Sequence, residues 1–212
     1  MRKEDMLREL ANDPRWEVRA EVAKNPDAPV DVLEKLSDDE KYKVKHHIVF
    51  NPSTPIDIIE KLSNDKNSWV RTDIADNPNT PPSILRKLFN EEYYKELGIH
   101  DENERQMKAE ILANIAFNPS TPIDILEKLA DDECRVLRET VAQNPSTPPE
   151  VLVDLAKSGI TETLDNPSMP KEALVEIIKS DDWKVRQKVA KLLLPSNNTP
   201  QPQQNKSISP SI

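Results

Sequence analysis

The chain has 212 residues, and its 38 acidic residues outnumber its 29 basic ones, for a net charge of −9. Only 36% of the residues are hydrophobic, and two glycines leave little material for β-hairpins. The N-terminus lacks the apolar core of a signal peptide, no apolar run is long enough to span a membrane, and one cysteine, Cys134, excludes an internal disulfide. These features predict a cytoplasmic protein without a membrane segment.

An N-terminal unit precedes Asn25, from which the repeat units are numbered, and it contains two short apolar stripes at helical spacing. The stripes are formed by Met6, Leu7 and Leu10, and then by Val18, Val22 and Ala23. Because this unit lacks a leading Asn-Pro pair, we interpret it as a half-degenerate N-terminal cap.

From Asn25 onwards the dipeptide Asn-Pro occurs six times, at spacings of 26, 26, 41, 26 and 22 residues. The pairs begin at Asn25, Asn51, Asn77, Asn118, Asn144 and Asn166. Repetition of this length is typical of a solenoid, in which each unit buries its apolar face against its neighbours. The sequence therefore predicts an all-α solenoid of about seven two-helix units over residues 1–194.

Each unit has two halves with recognisable helix signals. Thr54-Pro55-Ile56-Asp57 has the pattern of a capping box, with Pro at the first helical position of the first helix. The second half follows the pattern D-x-x-x-x-V-R and forms a second short helix. We expect the corner Asn to end this helix in a left-handed conformation, and the following Pro to prevent its continuation.

Two units depart from the period. The third is 41 residues long, which predicts a first helix from Ser83 to Leu97, a second from about residue 101 to Phe117, and a projecting helical hairpin around 91–110. The fifth is four residues short, which should bend the stack locally. Residues 195–212 are rich in Pro, Ser, Asn and Gln, and we expect a disordered tail.

The pattern NPxTPxxxLxxL followed by DxxxxVRxxVAxNP resembles the leucine-rich repeat variant family over roughly residues 1–194. The resemblance implies a right-handed superhelix of α and 3₁₀ helices. The second half also resembles HEAT repeats, whose Asp and Arg side chains form a ladder between units. One member of the variant family carries a cysteine-ligated iron–sulfur cluster, and this chain lacks the matching cysteines.

The ladder residues predicted from this pattern are Asp13, Arg19, Asp39, Lys45, Asp65, Arg71, Asp132, Arg138 and Arg186. Their basic members could form a track for anions or nucleic acid, or pair with the acids. We favour pairing, because the acids recur in step with the bases and Leu112 interrupts the basic stripe. Residues 25–165 contain 16 basic and 28 acidic residues, a net of −12, which would repel phosphates.

The aromatic residues suggest a contact surface. Trp16, Tyr42 and Trp183 share one position at the start of the second helix, and Trp69 lies one residue later. They could pack between units or form an exposed row of interface anchors. The same alternatives apply to Phe50 and Phe117, and to the hairpin residues Tyr93 and Tyr94.

The sequence contains no recognisable catalytic constellation, metal-ligand spacing or Gly-rich phosphate loop. We therefore expect a monomeric protein that is not an enzyme, needs no cofactor, and binds a protein partner through Trp16, Tyr42, Trp69, Trp183, Tyr93 and Tyr94. Two alternatives remain open. One is nucleic-acid binding, as in HEAT-like DNA glycosylases, and the other is an accessory or maturation role for another enzyme.

Overall fold

The computed structural model describes residues 2–90 and 102–194, and within these residues the chain is helical with no strand. The α-helices are α1 (Lys3–Leu10), α2 (Trp16–Lys24), α3 (Val30–Leu36), α4 (Tyr42–Phe50), α5 (Ile56–Leu62), α6 (Ser68–Asp76), α7 (Pro82–Phe89), α8 (Glu102–Phe117), α9 (Ile123–Ala130), α10 (Arg135–Gln143), α11 (Pro149–Lys157), α12 (Leu174–Ile177) and α13 (Trp183–Leu193). Two 3₁₀ helices occupy Thr161–Asp165 and Lys171–Ala173, and the second runs directly into α12.

These elements form seven pairs that stack in chain order. The principal contacts among the described helices join members of one pair or of adjacent pairs. The second helices α2, α4, α6, α8 and α10 pack side by side and more closely than the first helices do. The predicted all-helical solenoid is confirmed.

Buried aliphatic side chains form a core that runs along the stack from Leu7 to Ile160. Leu33, Ile48, Ile74 and other members are fully buried between the two helix layers. A second, smaller cluster joins Ile177 and Val185 of the C-terminal unit to Ala156 and Leu164 of the unit before it. The apolar stripes recognised in the sequence mostly form the inward faces of both helix layers, but in the N-terminal stripe only Leu7 is buried, and Met6 and Leu10 are exposed.

The corner asparagines are extended rather than left-handed, as Asn51 shows with φ −76° and ψ 122°. The expectation of a left-handed residue is therefore wrong. The Asn51 side chain instead accepts a hydrogen bond from the Ser53 amide at 2.9 Å and donates to the carbonyls of Ala23 (2.6 Å) and Asn25 (2.9 Å) in the preceding unit. Equivalent bonds to the preceding unit are made by Asn77, Asn118, Asn144 and Asn166.

The predicted capping box is also absent from α5. Pro55 is the N-cap residue of α5, without a side-chain capping bond. The hydroxyl of Thr54 donates instead to the Ile48 carbonyl at the end of α4, at 2.7 Å. The threonine thereby satisfies a carbonyl at the C-terminus of the previous helix, where the corner leaves carbonyls without a helical partner.

The long third unit differs from its prediction. Helix α7 ends at Phe89 rather than at Leu97, because Asn90 adopts an extended conformation. Asparagine is a poor helix former, because its side chain competes with the backbone for hydrogen bonds, and this favours termination there. Helix α8 occupies the span of the predicted second helix. The tip of the proposed hairpin and the proposed tail at 195–212 lie outside the described residues.

In the shortened fifth unit the second helix is the 3₁₀ segment Thr161–Asp165. Helix α11 ends before it in a turn at Gly159, whose φ is +94°. The Ile160 amide donates to the Leu155 carbonyl, and the Gly159 amide to the Ala156 carbonyl, as in a Schellman motif. In the other described units the second helices are α-helical, so the alternation of α and 3₁₀ helices implied by the family resemblance is not general here.

Candidate interaction surface

The ladder residues of the first units connect neighbouring helix pairs. Arg19 binds Asp39 of the next unit through two bonds, with Nε to Oδ2 at 2.5 Å and Nη2 to Oδ1 at 3.0 Å. Lys45 binds Asp65 of the next unit through a single bond at 2.6 Å. Arg19 also donates to the carbonyl of Asp13 in its own unit at 2.8 Å.

The remaining basic ladder residues bind backbone carbonyls six residues earlier in the chain. Arg71 is fully buried and donates to the Asp65 carbonyl at 2.7 Å, and Arg138 donates to the Asp132 carbonyl at 2.5 Å. Arg186 makes the same bond to the Ser180 carbonyl. Each of these basic groups therefore has a hydrogen-bonding partner within its own unit.

The acidic ladder residues also have a local role. The carboxylates of Asp13, Asp39, Asp65 and Asp132 each accept the backbone amide two residues later, at 2.7 to 2.9 Å. Each acid therefore organises the turn before the second helix. Asp39 and Asp65 do so while holding a base of the preceding unit.

The predicted aromatic row separates into parts. Trp16 is partly buried and Lys43 Nζ lies over its ring, 5.3 Å from the centroid. Tyr42 is also partly buried and contacts Trp69, with ring centroids 6.4 Å apart. Trp69 is 50% exposed. Trp183 is 59% exposed but belongs to the C-terminal unit, and Tyr93 and Tyr94 lie outside the described residues.

Two further side chains extend the contact between Tyr42 and Trp69 along α4. The His46 ring lies 5.9 Å from that of Tyr42 and 5.0 Å from that of Phe50. Tyr42, His46 and Phe50 are spaced four residues apart, so they share one helix face. This spacing could have identified His46 from the sequence, although its contacts with α6 could not be read there.

Asp73 of α6 lies beneath these rings and binds two of them. Its carboxylate accepts the Tyr42 hydroxyl at 3.2 Å and lies 2.9 Å from His46 Nδ1, and its side chain is 13% exposed. Burial raises the pKa of Asp73. Burial also raises the pKa of Tyr42, and the charges of Asp73 and Glu110 contribute further. Burial, and then the neighbouring His46, lowers the pKa of His47.

We call Tyr42, His46, Phe50 and Trp69, together with Asp73 beneath them, the aromatic patch. It lies on α4 and α6, within the closely packed layer of second helices. The described residues contain no group of His, Cys, Asp and Glu suited to hold a metal ion. No helix among them is long and apolar enough to cross a membrane.

Comparisons with known proteins agree with this architecture. Residues 16–41 match the family model "Leucine rich repeat variant". A solved structure, described as a leucine-rich repeat variant with a novel repetitive protein structural motif, superposes with a TM-score of 0.57 at 21% identity, covering 89% of this chain and 71% of that one. An engineered protein at 18% identity covers 91% of this chain and 96% of its own, with a TM-score of only 0.34. No curated protein matches the sequence.

The fold and its corner motif define an all-helical repeat protein. The resemblance to the leucine-rich repeat variant family is confirmed, by the family model across the first Asn-Pro corner and by the fold along the stack.

Proposed function

We propose that this protein is a non-enzymatic scaffold of the leucine-rich repeat variant type, which binds a protein partner through the aromatic patch. The supporting observation is a half-exposed tryptophan, Trp69, in contact with Tyr42, whose helix face continues through His46 and Phe50. Tryptophan and tyrosine are frequent anchors of protein interfaces, because they bury a large area at little conformational cost.

The patch is also well ordered by its own contacts. Asp73 fixes the Tyr42 hydroxyl and the His46 ring from α6, so the rings hold their positions before a partner arrives. A surface that is organised in advance loses less conformational entropy on binding. The proposal includes a monomeric protein in the cytoplasm, in agreement with the single cysteine of the chain.

Affinity capture from a native lysate with quantitative mass spectrometry tests the proposal. The baits are the wild-type chain, Trp69→Ala, and Trp183→Ala as a matched control, since both tryptophans are exposed on the surface at the start of a second helix. We expect a partner that the wild type and Trp183→Ala retain and that Trp69→Ala loses by about tenfold or more. Circular dichroism verifies that all three baits are folded.

Retention of every captured protein by folded Trp69→Ala would refute the proposal. The identity of the partner also separates the two alternatives considered above. An enzyme subunit would favour an accessory role, and a salt-dependent shift of duplex DNA by the purified chain would favour nucleic-acid binding.

A further inference from the structure

We infer that the partner segment seated on the aromatic patch is cationic and presents a lysine or arginine side chain to Trp69 and the surrounding carboxylates. This inference rests on the proposed function and names the chemistry of its partner. Four observations support it: a cation–π contact already used within the fold, the exposure of Trp69, two carboxylates without basic partners (Asp76 and Glu110), and the local charge.

The first observation is a contact between adjacent units. Lys43 of α4 places its ammonium over the ring of Trp16 in α2. The corresponding position of α8, two residues before Leu112, holds Glu110. Trp69, which lies one residue later in its helix than Trp16 does, contacts Tyr42 of the preceding unit and is half-exposed. Within the described residues no lysine or arginine covers the Trp69 ring, which is open to a cation from a partner.

The carboxylates near the patch carry charge that the chain does not neutralise with a base. Asp73 is paired with His46, and in the described parts of the chain Asp73, Asp76 and Glu110 have no lysine or arginine within ion-pair distance. The electrostatic influence of Glu110 reaches Tyr42 from α8, and that of Asp76 reaches Asp73 within α6. Negative charge thus surrounds the rings on two helices.

A cationic side chain would gain from both features at once. Cation–π contacts are attractive, with tryptophan the best acceptor, and nearby carboxylates add ion pairing. Phosphate groups or an acidic segment would meet Asp76 and Glu110 without compensation. Trp183 offers the opposite setting, since Lys184, Lys188 and Lys191 share its helix. It therefore provides a control tryptophan in a basic environment.

The test uses a phage-displayed library of random peptides, selected on the wild-type chain and counter-selected on folded Trp69→Ala. We expect the selected peptides to be enriched in lysine and arginine. The best peptide is then synthesised with a charge-reversed version, in which each lysine or arginine is replaced by glutamate. The dissociation constants of both are measured by fluorescence anisotropy.

For the cationic peptide, Trp69→Ala should weaken binding about tenfold, and Trp183→Ala should leave it unchanged. Glu110→Gln alters an exposed side chain outside the patch and should weaken binding about two- to fivefold. The charge-reversed peptide should not bind. Added salt should weaken the wild-type complex, since the charges concerned are exposed.

The outcomes separate this inference from the proposed function. Peptides that require Trp69 but show no excess of lysine and arginine would overturn the cationic partner while leaving the patch as the binding surface. Selection of acidic peptides, or of none that depends on Trp69, would overturn the inference. In the latter case the proposed function fails as well.

Discussion

At each corner, a buried asparagine side chain satisfies backbone groups of two adjacent units. Asn144 donates to the carbonyls of Ala116 at 2.8 Å and Asn118 at 2.9 Å, and accepts the Ser146 amide at 2.8 Å. Buried polar groups that lose their partners are costly, so Asn144→Ala should lower the free energy of unfolding by about 2–4 kcal/mol. Urea denaturation monitored by circular dichroism measures this change.

The control for this substitution is Asn64→Ala. The Asn64 side chain is exposed and donates to the Glu60 carbonyl of its own helix at 3.2 Å. Its loss should change the free energy of unfolding by no more than about 0.5 kcal/mol. Equal losses in the two variants would contradict the role assigned to the corner asparagines.

The ion pair of Asp39 with Arg19 makes stability depend on pH. Burial opposes the charged form of Asp39, but the bonds from Arg19 and the Lys41 amide prevail, and its pKa in the folded protein is lowered from 3.8. A carboxyl with a lowered pKa stabilises the fold above its unfolded pKa, and this contribution is lost as the pH falls. Asp39→Asn should therefore destabilise the protein at pH 7 by about 1–3 kcal/mol.

Urea denaturation at a series of pH values checks this expectation. The difference between the wild type and Asp39→Asn should shrink as the pH falls below 3.8, the ordinary value for aspartate. A difference that stayed constant through this range would exclude the ion pair as its source.

The stability contributed by Asp73 should change with pH in the direction opposite to that of Asp39. Its pKa is raised by burial, so the folded protein favours the protonated form and loses stability from this group as the pH rises above 3.8. The free energy of unfolding of Asp73→Asn minus that of the wild type should therefore be larger at high pH than at low pH. A decrease across the same titration would show that the pKa shift has the other sign.

Side-chain contacts at this scale were the least predictable from the sequence. Thr54 and Asp57 fit a local capping pattern, but the hydroxyl of Thr54 serves the previous helix instead. Tyr42 and Trp69 were predicted as surface candidates from their adjacent repeat positions at the start of the second helix. The role of Asp73 was not predicted. That role depends on how α4 and α6 are rotated against each other, and a repeat period does not specify this rotation.

At the scale of the element, most of the described helices begin after a proline or end before an Asn-Pro pair. Helices α5 and α9 begin directly after Pro55 and Pro122, and α4 and α6 end immediately before Asn51 and Asn77. Proline has no amide to donate and fixes its own φ, so its effect is local and readable. The end of α7 at Phe89 is not followed by an Asn-Pro pair, which is why the helix was wrongly predicted to continue to Leu97.

Gly159 is the element-scale exception that carries a testable cost. Its φ is +94°, and a Cβ atom there would lie 2.8 Å from Asp182 Oδ2. Gly159→Ala should destabilise the protein by about 1–3 kcal/mol, measured by thermal or urea unfolding. Gly159→Asn separates the causes, because Asn tolerates positive φ while carrying the same Cβ.

If the contact with Asp182 dominates, Gly159→Asn and Gly159→Ala should lose similar stability. If the backbone conformation dominates, the Asn variant should lose less. An unchanged Gly159→Ala protein would contradict both explanations.

At the scale of the whole molecule, we expect that the stack does not unfold as a single cooperative unit. The main core extends from Leu7 to Ile160, whereas Ile177 belongs to a separate small cluster. Because units of a solenoid contact only their neighbours, a local cavity should loosen nearby units first. Ile177→Ala should therefore raise amide hydrogen exchange mainly in residues 161–194.

Ile74→Ala is the matched comparison, since Ile74 is equally buried but lies in the middle of the main core. Both changes remove the same atoms, at a cost of about 2–5 kcal/mol. We expect faster exchange across many units in Ile74→Ala, measured by mass spectrometry. A uniform increase along the chain in Ile177→Ala would show that the stack unfolds as one unit.

The architecture itself was readable from the sequence because the same physical requirements recur in every unit. A repeated Asn-Pro corner and two short apolar stripes leave stacking of neighbours as the way to bury both helices. The partner was not readable in this way. It depends on a few exposed side chains that differ between units, such as Trp69 and Glu110, rather than on what the units share.

The hydrogen bonds of the corner asparagines suggest how such a chain can gain or enlarge repeat units. Asn118 reaches the carbonyls of Ala75 and Asn77 although 41 residues separate it from the previous corner, where Asn51 spans 26. The amide recognises only main-chain oxygens, so it is indifferent to the side chains of the neighbouring module. Duplication, exchange or enlargement of a module between two corners therefore preserves its junctions, and a lineage could diversify its contacts by inserting sequence there.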